Sequence, residues 1–125
     1  MATVLTTRQD DRERALSTAV ARIAEHWKLT NEELGLILGI SHPSASRLRA
    51  GKLQLEARSK SFEAGQYLLR LFRSLDALMG SDDQASRSWL RTSNLDLERA
   101  PVELLSTFTG LSRVCDYVDA FRARV

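Results

Sequence analysis

The sequence predicts an all-α fold, on three observations. Apolar residues recur at three- and four-residue spacing along most of the chain, which aligns them on single helix faces. No run of alternating β-branched residues interrupts that period, so no strand is needed to explain it. Glycine, serine, aspartate and proline fall between the apolar stretches, where helices stop and start. The 125 residues suffice for one compact body or two very small ones. A 43% hydrophobic share with 27% charged residues excludes wholesale disorder. No stretch approaches the roughly 20 apolar residues of a membrane span, and residues 1–10 lack the basic-then-apolar layout of a secretion signal. A cytoplasmic protein that makes no membrane contact is expected.

The elements follow in order. Residues 1–9 are polar and expected to be flexible. Over residues 10–27, Ala15, Leu16, Ala19, Val20, Ile23 and Trp27 form one helix stripe. A second helix starts after Thr30, whose hydroxyl can cap it, with Glu33 three residues on completing a capping box, and it stops at Gly39. Ser41 caps a third, in which Pro43 sits where a missing N–H costs nothing, and Gly51 ends it after about two turns. Residues 55–79 read as a longer helix. Its Phe62, Leu68, Leu69, Leu71, Phe72, Leu75, Leu78 and Met79 offer more apolar surface than a small bundle needs, and the surplus from Leu68 to Met79 is expected to form a homodimer interface. Gly80-Ser81-Asp82-Asp83 then reads as a stop and a new N-cap, and places a boundary between residues 10–79 and 80–125. Beyond it come a short helix over 84–91 with Trp89 and Leu90, a polar connection over 92–100, and a short helix over 101–105 opened by Pro101. Gly110 is expected to separate this from a last helix, in which Leu111, Val114, Val118 and Phe121 make an apolar stripe with Arg113, Asp116, Asp119 and Arg122 off it.

The strongest local signal is TNEELGLILGISHPSASRL, residues 30–48. Two helices joined by a tight turn need a small residue where they cross, supplied by Gly35, and a residue tolerant of positive φ in the turn, supplied by Gly39. Leu34, Leu38, Ile40, Ala45 and Leu48 then fall on inward positions, the pattern of a helix-turn-helix. The net charge is only +2, but residues 28–60 set six cations against three anions, so positive charge concentrates around this motif. The second helix of such a motif enters the major groove. Arg47 is the first choice for reading bases, because a guanidinium can pair bidentately with guanine. His42 and Ser44 contact bases or phosphates, and Arg49, Lys52, Arg58 and Lys60 are assigned to phosphates. A structural helical hairpin with solvated arginines is the alternative reading of the same residues.

Residues for catalysis are missing. There is no phosphate-cradling glycine loop, no cysteine pair, no His-Glu-x-x-His and no nucleophile elbow, so no enzyme and no cofactor are expected. His26 has no Cys or second His at ligand spacing, so no metal is expected either. Cys115, the only cysteine, reads as a small buried hydrophobe. The adjacent Asp82 and Asp83 point in different directions, and Asp116 with Asp119 lies on a face read as solvated.

Read as a whole, the C-terminal stretch Ser88-Trp89-Leu90-Arg91-Thr92-Ser93-Asn94, then Ala100-Pro101-Val102-Glu103-Leu104-Leu105, then Gly110-Leu111 through Val118 and Phe121, resembles the toxin-binding domain of the Xre/MbcA/ParS antitoxins. An Xre-type helix-turn-helix precedes that domain in the family, and here both halves stand in that order. The chain departs from the family in having Ser93 where a proline is common, Leu95-Asp96-Leu97-Glu98-Arg99 where a glycine-containing turn is common, and an ending Arg122-Ala123-Arg124-Val125 in place of a glycine-containing apolar tail. The resemblance implies an all-α helix-turn-helix bundle followed by a small helical toxin-binding region. It implies an antitoxin that occludes the active site of a RES-domain, NAD-consuming toxin and uses no NAD itself. Such an antitoxin is expected to repress its own operon by binding operator DNA, as a homodimer because helix-turn-helix proteins usually read two half-sites. Arg113, Tyr117, Arg122, Arg124 and Val125 of the last helix are the expected toxin contacts, since Tyr and Arg are enriched in interface hot spots. A free-standing Xre-type transcriptional regulator with no toxin partner is the alternative.

Overall fold

The computed structural model describes residues 2–124, with side chains from residue 7 onward. Among the described residues the fold is all-α: α1 (Ala2–His26), α2 (Asn31–Leu38), α3 (His42–Arg49), α4 (Lys60–Leu78), α5 (Asp83–Arg91), α6 (Pro101–Leu104) and α7 (Phe108–Arg124). The only β-type pairing among these residues is an isolated antiparallel bridge between Asn94 and Arg99. No helix among them is long and apolar enough to cross a membrane.

Local signals place most helix ends. Thr30, Ser41, Ser59 and Asp82 each turn a side-chain oxygen onto a backbone N–H of the first turn of α2, α3, α4 and α5. Two starts differ from expectation ahead of the α4–α7 seam. α1 runs from Ala2, through the stretch expected to be flexible. α4 begins at Lys60 rather than near residue 55, because the Leu55 N–H donates to the buried Ser17 hydroxyl at 2.9 Å and the Ala57 N–H to the Glu13 carboxylate at 2.6 Å. Backbone donors held by α1 in this way keep the segment out of the helix, and Leu55 is buried from a loop.

α4 is the central helix. Leu16, Val20 and Ile23 of α1, with Trp27 just after it, meet α4 on one side, and Leu111, Val114, Cys115 and Val118 of α7 on the other. The α4–α7 contact is the most extensive in the molecule, followed by α1 on α4 and α2 on α3. Of the surplus expected to form a homodimer interface, Leu68, Leu71 and Leu75 are at most 1% exposed within the single chain and Phe72 packs on Trp27 with ring centroids 5.6 Å apart, while Leu69, Leu78 and Met79 stay partly exposed. α7 and α1 cover the buried part of that surplus.

Two further readings change at the α4–α7 seam. Gly110 does not separate helices but lies in the first turn of α7, where a Cβ would sit 2.0 Å from the Leu104 carbonyl oxygen. The missing side chain lets α6 pass against α7 at backbone distance. Asp116 and Asp119, read as a solvated face, hold Arg70 of α4: its guanidinium reaches Asp119 Oδ2 at 2.5 Å and Asp116 Oδ1 at 3.2 Å, and the Ser74 hydroxyl donates to Asp119 Oδ1 at 2.7 Å. Cys115 is buried as expected, its Sγ 3.3 Å from the Tyr67 carbonyl oxygen, and burial pushes its thiol up to about 11. A thiol held protonated in this way is a packing group at neutral pH.

Candidate nucleic-acid interface and partner surface

The α2–turn–α3 unit is built from residues close in sequence. Thr30 Oγ1 accepts the Glu33 N–H at 3.0 Å and Glu33 Oε1 accepts the Thr30 N–H at 2.9 Å, completing the capping box. Gly39 ends α2 at φ +69°, a backbone state that side chains resist. Gly35 gives the room the turn needs, since a Cβ there would lie 2.7 Å from the Ile40 carbonyl oxygen. Ala45 and Leu48 then face the core at 0% and 1% exposure, which turns the opposite face of α3 outward.

His42, Pro43, Ser46 and Arg47 are exposed on that face, and Ser44 is half-buried beside it. Arg47 donates to Ser44 Oγ at 3.1 Å, and the Ser41 hydroxyl bonds Ser44 Oγ at 2.9 Å, so a short polar chain runs along the N-terminal half of the helix. Ser46, which sequence reasoning did not single out, shares that outer face. The signal for it was present, because the inward pair Ala45 and Leu48 at helical spacing puts position 46 on the outer side.

Arg49, expected on phosphates, is turned inward instead. Its guanidinium pairs with Glu25 Oε1 at 2.9 Å, bonds Asn31 Oδ1 at 3.2 Å and donates to the Leu29 carbonyl. Its side chain is 19% exposed, so it clamps the end of α3 to the α1–α2 connection. Lys52 is exposed just after α3, and Arg58 is exposed in the turn before α4. Lys60, the first residue of α4, borders a groove of about 410 Å³ with Leu36, Ile37, Glu63, Ser106 and Phe108.

The α1–α2 connection is also gripped from α5. Arg91 pairs with both oxygens of Glu33, at 2.8 and 2.9 Å, Arg87 donates to the His26 carbonyl at 3.0 Å, and His26 Nδ1 lies 2.6 Å from Asp83 Oδ2. Glu33 therefore both caps the first helix of the motif and ties it to the C-terminal region. The Arg91 hydrogen bonds lower its pKa against a smaller opposing effect of burial. For Asp119, burial raises the pKa, but the hydrogen bonds from Ser74 and Arg70 outweigh it and leave the group below its ordinary 3.8. Both folded-state values lie below the unfolded ones, so the stability these groups contribute is complete above 4.5 and 3.8 and is lost as pH falls through the folded values. The pairs are partly solvated, so each is worth about 1 kcal/mol or less. Thermal melts are expected to show the acid-side fall in Tm shrinking in Glu33→Gln relative to wild type; an unchanged acid limb would exclude this role.

On the C-terminal side, Tyr117 is half-buried. Its ring stacks on Trp89 at 6.5 Å between centroids and meets Phe121 edge-on at 5.0 Å. Its hydroxyl donates to Asp96 Oδ2 at 2.7 Å, and Arg113 donates to the Asp96 carbonyl at 3.3 Å. The hydrogen bond to Asp96, and then burial, raise the Tyr117 pKa. Arg122 reaches Ser74 Oγ at 3.4 Å, and Arg124 lies over the Phe121 ring at 5.6 Å. Val125 falls outside the described residues. Leu75, Leu78, Met79, Trp89, Tyr117 and Phe121 line a groove of about 220 Å³ beside this cluster. Asn94 organises the loop before α6, and Pro101 is buried in the first turn of α6.

Comparison with protein families divides the chain end to end. Residues 8–73 match the model described as the antitoxin Xre-like helix-turn-helix domain, and residues 74–124 match the model described as the antitoxin Xre/MbcA/ParS C-terminal toxin-binding domain. No curated protein sequence matches the chain.

Proposed function

The chain belongs to the Xre/MbcA/ParS antitoxin family, and from that membership we propose that it neutralises a RES-domain, NAD-consuming toxin by occluding the toxin's active site, and represses its own operon as a homodimer on operator DNA. The observation that carries the reading is that an Xre-like helix-turn-helix and a toxin-binding domain together account for residues 8–124. The RES class of the toxin and its use of NAD rest on the resemblance of the Trp89, Asn94, Pro101 and Leu104 stretch to antitoxins of that pairing. The toxin-binding match over 74–124 favours this reading over a free-standing regulator. The homodimer follows from the two half-sites that helix-turn-helix proteins usually read. The protein itself performs no catalysis in this scheme, and it works in the cytoplasm, where the operator is.

We assign DNA contact to the outer face of α3, with Arg47 on bases, His42, Ser44 and Ser46 beside it, and Lys52, Arg58 and Lys60 on phosphates. Arg49 acts by holding α3 in place. The toxin is assigned to residues 80–125, with Arg113, Tyr117, Arg122 and Arg124 as contacts, together with Val125, which lies outside the described residues. The division is one of surfaces on a shared core. Arg47→Ala is expected to weaken a specific operator complex by about 1 to 3 kcal/mol and flatten its sequence preference, while Lys52→Ala lowers the salt slope by about one. Gel-shift titrations over a salt series check both, and equal wild-type affinity for operator and scrambled DNA would defeat base reading. Co-expression with the product of the adjacent gene, followed by co-purification, tests the toxin.

A further inference from the structure

The loop between α5 and α6 presents the most exposed large apolar side chain described in the molecule, Leu95, at 98% exposure. A single exposed leucine is ordinary on a protein surface. What distinguishes this one is the rigidity of the loop that carries it. The Asn94 N–H donates to the Arg99 carbonyl at 3.1 Å and the Glu98 N–H to the Asn94 carbonyl at 2.7 Å, closing the turn. Asn94 Oδ1 accepts the N–H groups of Asp96 at 2.8 Å and Leu97 at 3.2 Å, which fixes the tip from inside. Leu97 is buried at 2% exposure, and Glu98 turns the chain at φ +69°. From α7, Tyr117 and Arg113 hold Asp96 by its carboxylate and its carbonyl. The segment is tied on both sides of Leu95 while the leucine itself stands in water.

We propose that Leu95 is a preformed anchor that enters an apolar socket on the toxin, with the Asn94 turn and the Tyr117–Asp96–Arg113 contacts as its mount. The proposal rests on the antitoxin reading and deepens it. Two observations choose the toxin as occupant. Leu95 lies inside the segment that matches the toxin-binding domain. Asp96 and Glu98 flank it, which disfavours a nucleic-acid backbone. A mount already rigid in the free protein loses little freedom on binding, so most of what Leu95 gains by leaving water appears as affinity.

The test is titration of the full-length chain, wild type and Leu95→Ser, against the purified product of the adjacent toxin gene, with melting temperature, operator affinity and oligomeric mass measured alongside. Leu95→Ser is expected to bind the toxin about 10- to 100-fold more weakly while the other three readouts stay at wild type. Leu95→Met, which keeps the volume, is expected to stay within about threefold of wild type. Toxin affinity unchanged in Leu95→Ser overturns the anchor while leaving the antitoxin reading intact. Loss of self-association with toxin binding retained also overturns it, by giving the leucine to a second copy. A wild-type chain that binds no toxin takes both readings down together.

Discussion

A chain cut after Gly110 is expected to lose its cooperative fold entirely, including the DNA-binding helices that the cut leaves untouched. α7 contributes Leu111, Val114 and Val118 to the core, each at most 1% exposed, and covers the face of α4 that carries Leu68, Leu71 and Leu75. Burial of each such side chain is worth about 1.5 to 3 kcal/mol, so three supply roughly 5 to 9 kcal/mol before the newly bared face of α4 is considered. Whole domains of this size are stable by only about 5 to 15 kcal/mol. Circular dichroism melts of residues 1–110 are therefore expected to show no cooperative transition, and gel shifts no specific complex. A truncated protein that melts sharply at high helicity would mean that the helix-turn-helix half carries a sufficient core of its own.

Gly110→Ala is expected to be the most damaging substitution of a single hydrogen by a methyl, at about 3 kcal/mol. The new Cβ would lie 2.0 Å from the Leu104 carbonyl oxygen and 2.9 Å from its carbon, and these are backbone atoms that no rotamer change can move aside. A fall in Tm of about 10 °C or more should follow. Gly39→Ala provides the contrast. Nothing lies within 4 Å of a Cβ there, so its cost is only the left-handed backbone at φ +69°, about 1 to 2 kcal/mol. Differential scanning calorimetry of the two variants decides the matter: a milder effect at 110 than at 39 would show that α6 and α7 can separate cheaply.

These two glycines also show what could be read from sequence. Gly39 belongs to a unit whose every determinant is local: the Thr30–Glu33 capping box, the left-handed stop, the Ser41 cap and Pro43 lie within a few residues of each other. Helix ends of that kind are written in neighbouring residues, so the motif and its outward face were legible. Gly110 was read as a stop because glycine commonly ends helices, whereas its function depends on where α6 happens to cross. The same limit explains Arg49, whose partners Glu25, Leu29 and Asn31 lie 18 to 24 residues away. It explains Asp116 and Asp119, which meet Arg70 from 46 and 49 residues away. It explains α4 as well, where periodicity showed an apolar face but not that α7 would cover it. Charge identity and helical period locate a side chain on a face; only tertiary packing says whether that face meets water, DNA or the chain itself.

On the C-terminal side the residue types were legible and their partners within the chain were not. Arg113, Tyr117 and Arg122 all have partners within the chain, at Asp96, Asp96 and Ser74. Leu95, in a connection that read as mostly polar, is the most exposed large apolar side chain described.

The claim on which the rest depends is that one folded body holds two separate grips, the outer face of α3 for DNA and residues 80–125 for the toxin. The most direct check is calorimetric titration of purified toxin with wild-type and Arg47→Ala chains. Equal, tight affinity for both proteins is expected, since Arg47 bonds only Ser44 among the described contacts and lies on α3, outside the toxin-binding segment. A toxin affinity that falls with Arg47 would contradict the separation and place the toxin on the DNA-reading helix.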